Sequence, residues 1–322
     1  MQAIRDQDGI LQWVSSEPSP EMVADAVRIR VFATAVNRAD LIQRNGHYPP
    51  PPGVTDILGL ECSGEVVEIN SASSSLKIGD RVCALLSGGG YADEVVVPEG
   101  QVLPIPKGYS MEQAAAVPEV FGTAWLNLRL EGMLKPEERV LMHAGASGVG
   151  TAVVQLCSAW GNPVAVSLGG EEKGRRLLEL GAHLAADRHQ TDMWDRLGAE
   201  GNFDLIIDPV GGDYLEPNVR LLNPLGRLVN IGLMSGSEGT LPLGLLLVKR
   251  LTVKGSVLRS RSLEEKARVM EGLCSEVWPL LESERVAPII DSVLPIEQAQ
   301  KAHERVAANL TIGKVVLRIR ES

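Results

Sequence analysis

Basic charge is in short supply. The chain carries 31 Lys and Arg against 41 Asp and Glu, a formal net charge of −10. A surface for nucleic acid or for an anionic membrane wants a basic face, so neither partner is expected. Cysteine is scarce too, and Cys62, Cys83, Cys157 and Cys274 are too far apart to form a Cys-x-x-Cys pair. That argues against disulfides and against a four-cysteine zinc loop, and it leaves four buried apolar thiols as the expectation. No apolar stretch is long enough to span a bilayer. The longest, near 144–158 and 241–248, are interrupted by Gly, Ser, Thr, Gln or Pro. The first residues lack a signal-peptide pattern and the last lack a sorting or lipidation motif, so a cytoplasmic location is expected. Internal repeats are absent, and Ser71–Ser75 reads as a solvated loop tip.

What is present suits two domains, each with its own core: 322 residues, 44% of them hydrophobic and 22% charged. The most informative stretch is 139–161. Val140–Met142 reads as a short buried strand and Ala144–Gly150 as a tight glycine-rich turn. Ala152, Val153, Leu156 and Ala159 then fall at helical spacing, up to a C-cap at Gly161. Strand, turn and helix in this order present backbone N–H groups and a helix N-terminus to a pyrophosphate, which points to a dinucleotide.

Residues 1–110 read as β-rich and loop-rich, with strands over 27–35, 65–69, after the turn at 79–82 and over 91–97. A helix is expected over 37–44 and extended polyproline backbone at Pro49–Pro52. From Met111 the pattern changes. Helices are predicted over 111–117 and 120–130, then strands at 140–142, 164–167, 204–208, 227–231 and 251–257 alternate with helices at 149–160, 171–180 and 213–222. Such alternation implies a parallel sheet covered by helices. A long amphipathic helix at 263–281, a short one at 297–307 and a strand at 313–320 follow. The final strand resembles the front half more than the middle. The parse is therefore a nucleotide domain, 117–259, inserted into a β-rich domain formed by 1–116 and 260–322.

Five motifs occur in order: Asn37-Arg38-Ala39-Asp40, Gly59-Leu60-Glu61-Cys62-Ser63-Gly64, Lys77-Ile78-Gly79-Asp80-Arg81-Val82, Ser147-Gly148-Val149-Gly150 and Ile312-Gly313-Lys314-Val315-Val316-Leu317. Spread over about 280 residues in register, they resemble the zinc-independent quinone oxidoreductase (zeta-crystallin-like) branch of the medium-chain dehydrogenase/reductase superfamily. Within it the similarity is to the tumour-suppressor-induced quinone oxidoreductase type. The resemblance implies an α/β protein with a GroES-like β-barrel catalytic domain and a Rossmann doubly wound parallel-sheet domain. It also implies a homodimer in which the strand at 251–257 pairs across a two-fold axis, protecting an apolar edge.

Zinc-dependent relatives have Cys in place of Asn37 and a Gly-His-Glu where this chain has Gly59-Leu60-Glu61. An amide and a leucine cannot replace a thiolate and an imidazole, so no metal site is expected, and His47 and His143 read as packing or hydrogen-bonding residues. Without a Lewis acid, alcohol oxidation fits poorly. Hydride transfer to a quinone needs less help, because the product anion is a stabilised phenolate. Conjugated enones, which give a delocalised enolate, are the alternative substrates. By resemblance Asn37, Tyr48 and Thr123 line the catalytic site, the last two also touching the cofactor. Asn37 equally suits a helix N-cap, Tyr48 an ordinary surface aromatic and Thr123 a core-facing helix hydroxyl.

The resemblance assigns the pyrophosphate to Ala146, Ser147, Gly148, Val149 and Gly150, with Ser147 in place of a more usual glycine. The second strand ends at Gly169 and Gly170 without the acid that binds a ribose 2′-OH in NAD enzymes, and Lys173 matches a lysine that pairs with a 2′-phosphate. NADPH is therefore expected. Gly170 stands where relatives have a serine, and Glu171 and Glu172 lie beside the phosphate site. Arg188, where relatives have a tyrosine, is either a replacement for the serine contact or a solvated surface arginine. Val210, Gly211, Gly232, Leu233, Leu258, Arg259 and Asn309 complete the cofactor set by resemblance, and any of them also suits plain turn chemistry. The expected activity is NADPH-dependent, zinc-free quinone reduction. The alternatives are an alkenal or enone double-bond reductase and an NADPH-binding structural or regulatory protein with little catalysis.

Overall fold

The computed structural model describes residues 1–15, 18–72 and 74–321, so part of the loop tip expected at 71–75 and the last residue of the chain lie outside the described residues. The chain divides into two compact units. One comprises Met1–Gly122, Leu258–Ser283 and Pro288–Ser322, the other Thr123–Val257 and Glu284–Ala287.

Period-2 alternation builds the first unit. In the strand Ala26–Ala35, Val27, Ile29 and Val31 share one buried face and pack with Val66, Val82, Val95 and Val97. Full burial of one such side chain contributes about 1.5–3 kcal/mol. The sheet runs, in spatial order, Ile290–Pro295, Lys314–Arg318, Ala26–Ala35, Glu61–Asn70, Arg81–Leu85 and Val102–Pro104, with Glu94–Pro98 also pairing along Ala26–Ala35. Val316 lies opposite Ala35 and Leu317 opposite Thr34. The C-terminal strand thus returns to the front half, as its composition suggests. Gly59 is required by the packing. Its φ is +103°, and an added Cβ would lie 2.7 Å from both Gly90 Cα and Tyr91 N.

The second unit is a six-stranded sheet in which every pairing is parallel. Its spatial order is Leu184–Asp187, Val164–Leu168, Val140–Met142, Phe203–Asp208, Leu222–Asn230 and Thr252–Gly255. Counted along the chain this is order 3-2-1-4-5-6, a Rossmann sheet. Its ligand crevice opens at the strand carboxyl ends where the order reverses, between Val140–Met142 and Phe203–Asp208. The strand 140–142 is found as expected, and the following helix runs Gly148–Trp160 and stops at Gly161, whose φ is +80°.

The departures have local causes. The hairpin Ala3–Gln7/Ile10–Val14 was not among the expected elements, although its Asp8-Gly9 turn, with φ +52° and +82°, is the two-residue form that Asp-Gly favours. Leu184–Asp187, Met193–Ala199 and Leu243–Lys249 are too short to show a clear period. The helix expected over 120–130 is α only over Pro118–Trp125. It then widens into a π-turn over Leu126–Glu131, with the Gly132 N–H donating to the Asn127 carbonyl five residues back. A similar π-turn, Leu273–Val277, interrupts the long C-terminal helix. Cys274 sits in it and is exposed, which corrects the expectation of four buried thiols; the other three are buried. Leu273 and Val277 share the buried helix face, and Cys274 is rotated off it. Among the described residues no helix is long and apolar enough to cross a membrane.

Candidate active site

At the carboxyl ends of its strands the second unit carries the residues expected to hold a dinucleotide. Ala144 has φ +52°, which turns the chain out of Val140–Met142. Ser147 is the N-cap of the helix Gly148–Trp160, and its Oγ accepts from the Gly150 N–H at 3.0 Å. That bond fixes the helix start while leaving the hydroxyl proton free to donate, and the first-turn N–H groups of Gly148 and Val149 have no intrahelical acceptor. Glycine is needed at 150 because any Cβ would collide with the Gly145 carbonyl. Ala146 is buried just ahead of the cap.

The neighbouring strand Val164–Leu168 ends at Gly169 and Gly170, with no acid. Arg188 and His189 stand over Gly169. A Cβ there would be 3.1 Å from Arg188 Nε and 2.8 Å from His189 Nε2. Both residues are exposed, as are Glu171 and Glu172, while Lys173 is half-buried in the first turn of the helix Glu171–Glu179. His189 was not among the expected site residues. Its signal was the basic pair at the end of an unrecognised strand. On the other side of the switch point, Asp208 Oδ1 accepts from the N–H groups of Val210 and Gly211 at 2.7 and 3.2 Å. Asp208 Oδ2 bonds Asn218 Nδ2, whose Oδ1 meets His143 Nε2 at 2.7 Å, and His143 Nδ1 meets Ser167 Oγ at 2.6 Å. This buried chain ties three strand ends and a helix together. Burial holds the His143 imidazolium pKa below its ordinary value, so the ring stays neutral and structural. Gly232 packs against the Pro209 carbonyl, and Leu233 beside it is exposed. Thr123 is half-buried, and its carbonyl accepts from Asn127 Nδ2 at 2.7 Å.

In the first unit the motif residues converge on a buried ion pair. Lys314 Nζ lies 2.7 Å from Glu61 Oε1, 2.6 Å from Asn37 Oδ1 and 2.8 Å from the Val36 carbonyl, which uses all three of its protons. Both charged side chains are at most 3% exposed. Asn37 Nδ2 donates to Glu61 Oε1 at 3.0 Å and to the Ala35 carbonyl, and Glu61 Oε2 accepts from the Glu119 N–H at 2.9 Å. Asn37 is also the N-cap residue of the helix Arg38–Arg44, with its backbone N–H held by Asp40 Oδ2 at 2.8 Å. Asn37 thus occupies the cap position through its backbone, while its side chain is engaged by Glu61, Ala35 and Lys314. Burial pushes the Asp40 carboxyl up to about 6 against the bonds from Asn37, Gly59 and Tyr91 that favour its charge.

Tyr48 is half-buried on the loop that follows this helix. The Arg259 guanidinium stacks 5.2 Å over its ring and donates to the Tyr48 carbonyl and, at 2.7 Å, to the Ser87 carbonyl. Burial and then the Glu119 charge push the Tyr48 phenol up to about 12. Leu258 is buried against Gly122, and Asn309, at φ +54°, is held by Arg38 Nη2 at 2.7 Å. Asn309 is thus a turn residue fixed by the Asn-Arg-Ala-Asp motif. These residues do not fit a catalytic zinc. Leu60 is buried and apolar, the Asn37 oxygen already faces an ammonium, and among the described residues no three His, Cys, Asp or Glu side chains are grouped to hold a metal.

Residues 23–107 match the alcohol dehydrogenase GroES-like domain and residues 148–273 the zinc-binding dehydrogenase domain. The human synaptic vesicle membrane protein VAT-1 homolog is 30% identical over 305 residues, covering 90% of this chain and 78% of that protein. Among solved structures, the Thermus thermophilus quinone oxidoreductase, also solved with NADPH, is 34% identical with a TM-score of 0.83, covering 99% of this chain and 100% of that one. The chain belongs to the quinone oxidoreductase branch of the medium-chain dehydrogenase/reductase superfamily. The Escherichia coli quinone oxidoreductase complexed with NADPH is 27% identical with a TM-score of 0.86 at the same coverage. This medium-chain dehydrogenase/reductase is accordingly an oxidoreductase.

Removing one member of a buried ion pair strands the other. Lys314→Met should lower the unfolding free energy by about 3–5 kcal/mol. Urea denaturation reads this directly, and a loss below about 1 kcal/mol, the scale of an exposed pair, would contradict the role given to Lys314.

Proposed function

We propose that the protein reduces quinones with NADPH and without a metal. The observation that carries this reading is the Lys314 ammonium against Asn37 and Glu61. A resident cation satisfies the amide at the position where zinc-dependent relatives carry a ligand. Without a Lewis acid, the acceptor must be one whose reduced oxygen is already a stabilised anion, as in a quinone or a conjugated enone. When bound, the reduced nicotinamide supplies the hydride. The side chains bind and orient: Asn37, its amide fully engaged with Glu61, Ala35 and Lys314, acts as a positioning residue. Tyr48 and Arg259 remain as donors to the acceptor. The preference for NADPH over NADH is supported by the acid-free end of Val164–Leu168 and by Arg188 over Gly169, and opposed by the exposed Glu171 and Glu172.

We infer that a second copy covers the free edge of Thr252–Gly255. Beside it, the helix Leu243–Lys249 leaves Leu243, Leu247 and Val248 at 62%, 75% and 83% exposure, an apolar surface that calls for cover.

Turnover of a naphthoquinone with NADPH should exceed that of a small enone. The reverse order favours the enone reductase, and tight NADPH binding with no oxidation by either acceptor favours a non-catalytic role. Arg188→Tyr should weaken NADPH binding about tenfold, the loss of one charge-assisted contact, with NADH binding unchanged. Fluorescence titration reads both, and equal NADPH affinity in the variant removes Arg188 from the site. Val248→Glu should convert a dimer to a monomer in light scattering, and a wild type that is monomeric at micromolar concentration overturns the proposed interface.

A further inference from the structure

Two buried polar atoms of the first unit have no hydrogen-bond partner among the described residues: Glu119 Oε2 and Arg259 Nη2. Such atoms are destabilising unless something else uses them. The Glu119 backbone is tied to Glu61 Oε2 at 2.9 Å, and Arg259 is held through Nε and Nη1 by the carbonyls of Ser87 and Tyr48. The Glu119 charge acts on both Tyr48 and Arg259, and the Arg259 guanidinium lies 5.2 Å over the Tyr48 ring, so the three groups share one electrostatic neighbourhood.

We propose that Glu119 carries the proton that completes reduction of the acceptor, delivering it to the acceptor's reduced oxygen beside Tyr48, with Arg259 Nη2 as a second donor to that oxygen. The inference rests on the proposed reduction of a conjugated electrophile by a reduced nicotinamide. The hydride brings two electrons to the acceptor. The carboxyl O–H bond of Glu119 breaks, a new O–H bond forms on the acceptor, and the Glu119 carboxylate is reprotonated from water.

The chemistry favours Glu119 over Tyr48 as the source. Burial, with Glu61 and Asp40 nearby, pushes the Glu119 carboxyl up to about 8, opposed by Lys314 and Lys266. It is therefore mostly protonated at neutral pH and close to the pKa range suited to a general acid. A phenolate product has a conjugate-acid pKa of about 10, so transfer from Glu119 runs downhill. Transfer from the Tyr48 phenol, at about 12, runs uphill. The charged and titratable groups coupled to Glu119 are Glu61 and Lys314 on strands, Asp40 and Lys266 on helices, and Tyr48 and Arg259 on loops.

The test is Glu119→Gln against the unaltered enzyme, with NADPH and a naphthoquinone. In the unaltered enzyme kcat should fall about tenfold per pH unit above about 8, because the acid form is lost. In Glu119→Gln, kcat at about pH 7 should drop at least about tenfold, the alkaline fall should vanish, and the Kd for NADPH should stay within about twofold. Independently of turnover, the infrared spectrum of the unaltered protein should contain a protonated-carboxyl band that titrates near pH 8 and is missing in the variant. A variant with full kcat and an intact alkaline fall overturns the inference alone, as does the absence of that band at neutral pH. If the variant does not fold, a flat rate profile of the unaltered enzyme from about pH 6 to about pH 9.5 still overturns it. An unaltered enzyme that oxidises no NADPH with either quinone or enone overturns both this inference and the function on which it rests.

Discussion

One buried charge pair organises the first unit. Lys314 and Glu61 meet at 2.7 Å out of contact with water, and the desolvation of two ions is offset only because every proton of the ammonium has an acceptor and both carboxylate oxygens have donors. Asn37, Val36 and Glu119 complete that set, so the first, second and last motifs of the unit are fixed against one another through a single network. The pair also sets an ammonium against the Asn37 amide, and the proposed metal-free reduction of electrophilic acceptors rests on that contact.

The second unit depends on close backbone approach rather than on charge. Gly150 lets the first helix start against the turn, Ser147 caps it, and Gly169 leaves room for Arg188 and His189 above the next strand end. The chain Asp208–Asn218–His143–Ser167 joins the strand ends, so the loops that follow them are held by buried hydrogen bonds. His143 serves this purpose with both ring nitrogens hydrogen-bonded and its charged form disfavoured by burial.

Much of this was legible in the residues. The strand Val140–Met142, the cap at Gly161, the parallel alternation and the return of the last strand follow from periodicity and turn chemistry, which are local properties of the chain. Leu184–Asp187 escaped notice because four residues carry too little period, and Leu243–Lys249 because an exposed apolar helix has no polar face to mark it. Cys274 was misjudged because burial depends on helix rotation, which a π-turn alters.

By itself the sequence determined the glycine turn, the absence of an acid after the second strand, and an amide and a leucine where a metal would need a thiolate and an imidazole. Those are questions of residue identity, and identity is enough to answer them. Only the tertiary structure decided the partners of those residues. That Lys314 satisfies Asn37 across 277 positions, and that Glu119 is left with a buried, unpartnered oxygen, follows from how strands and helices pack. Burial is a property of the folded neighbourhood, and burial turns an ordinary carboxyl into one that holds its proton at neutral pH.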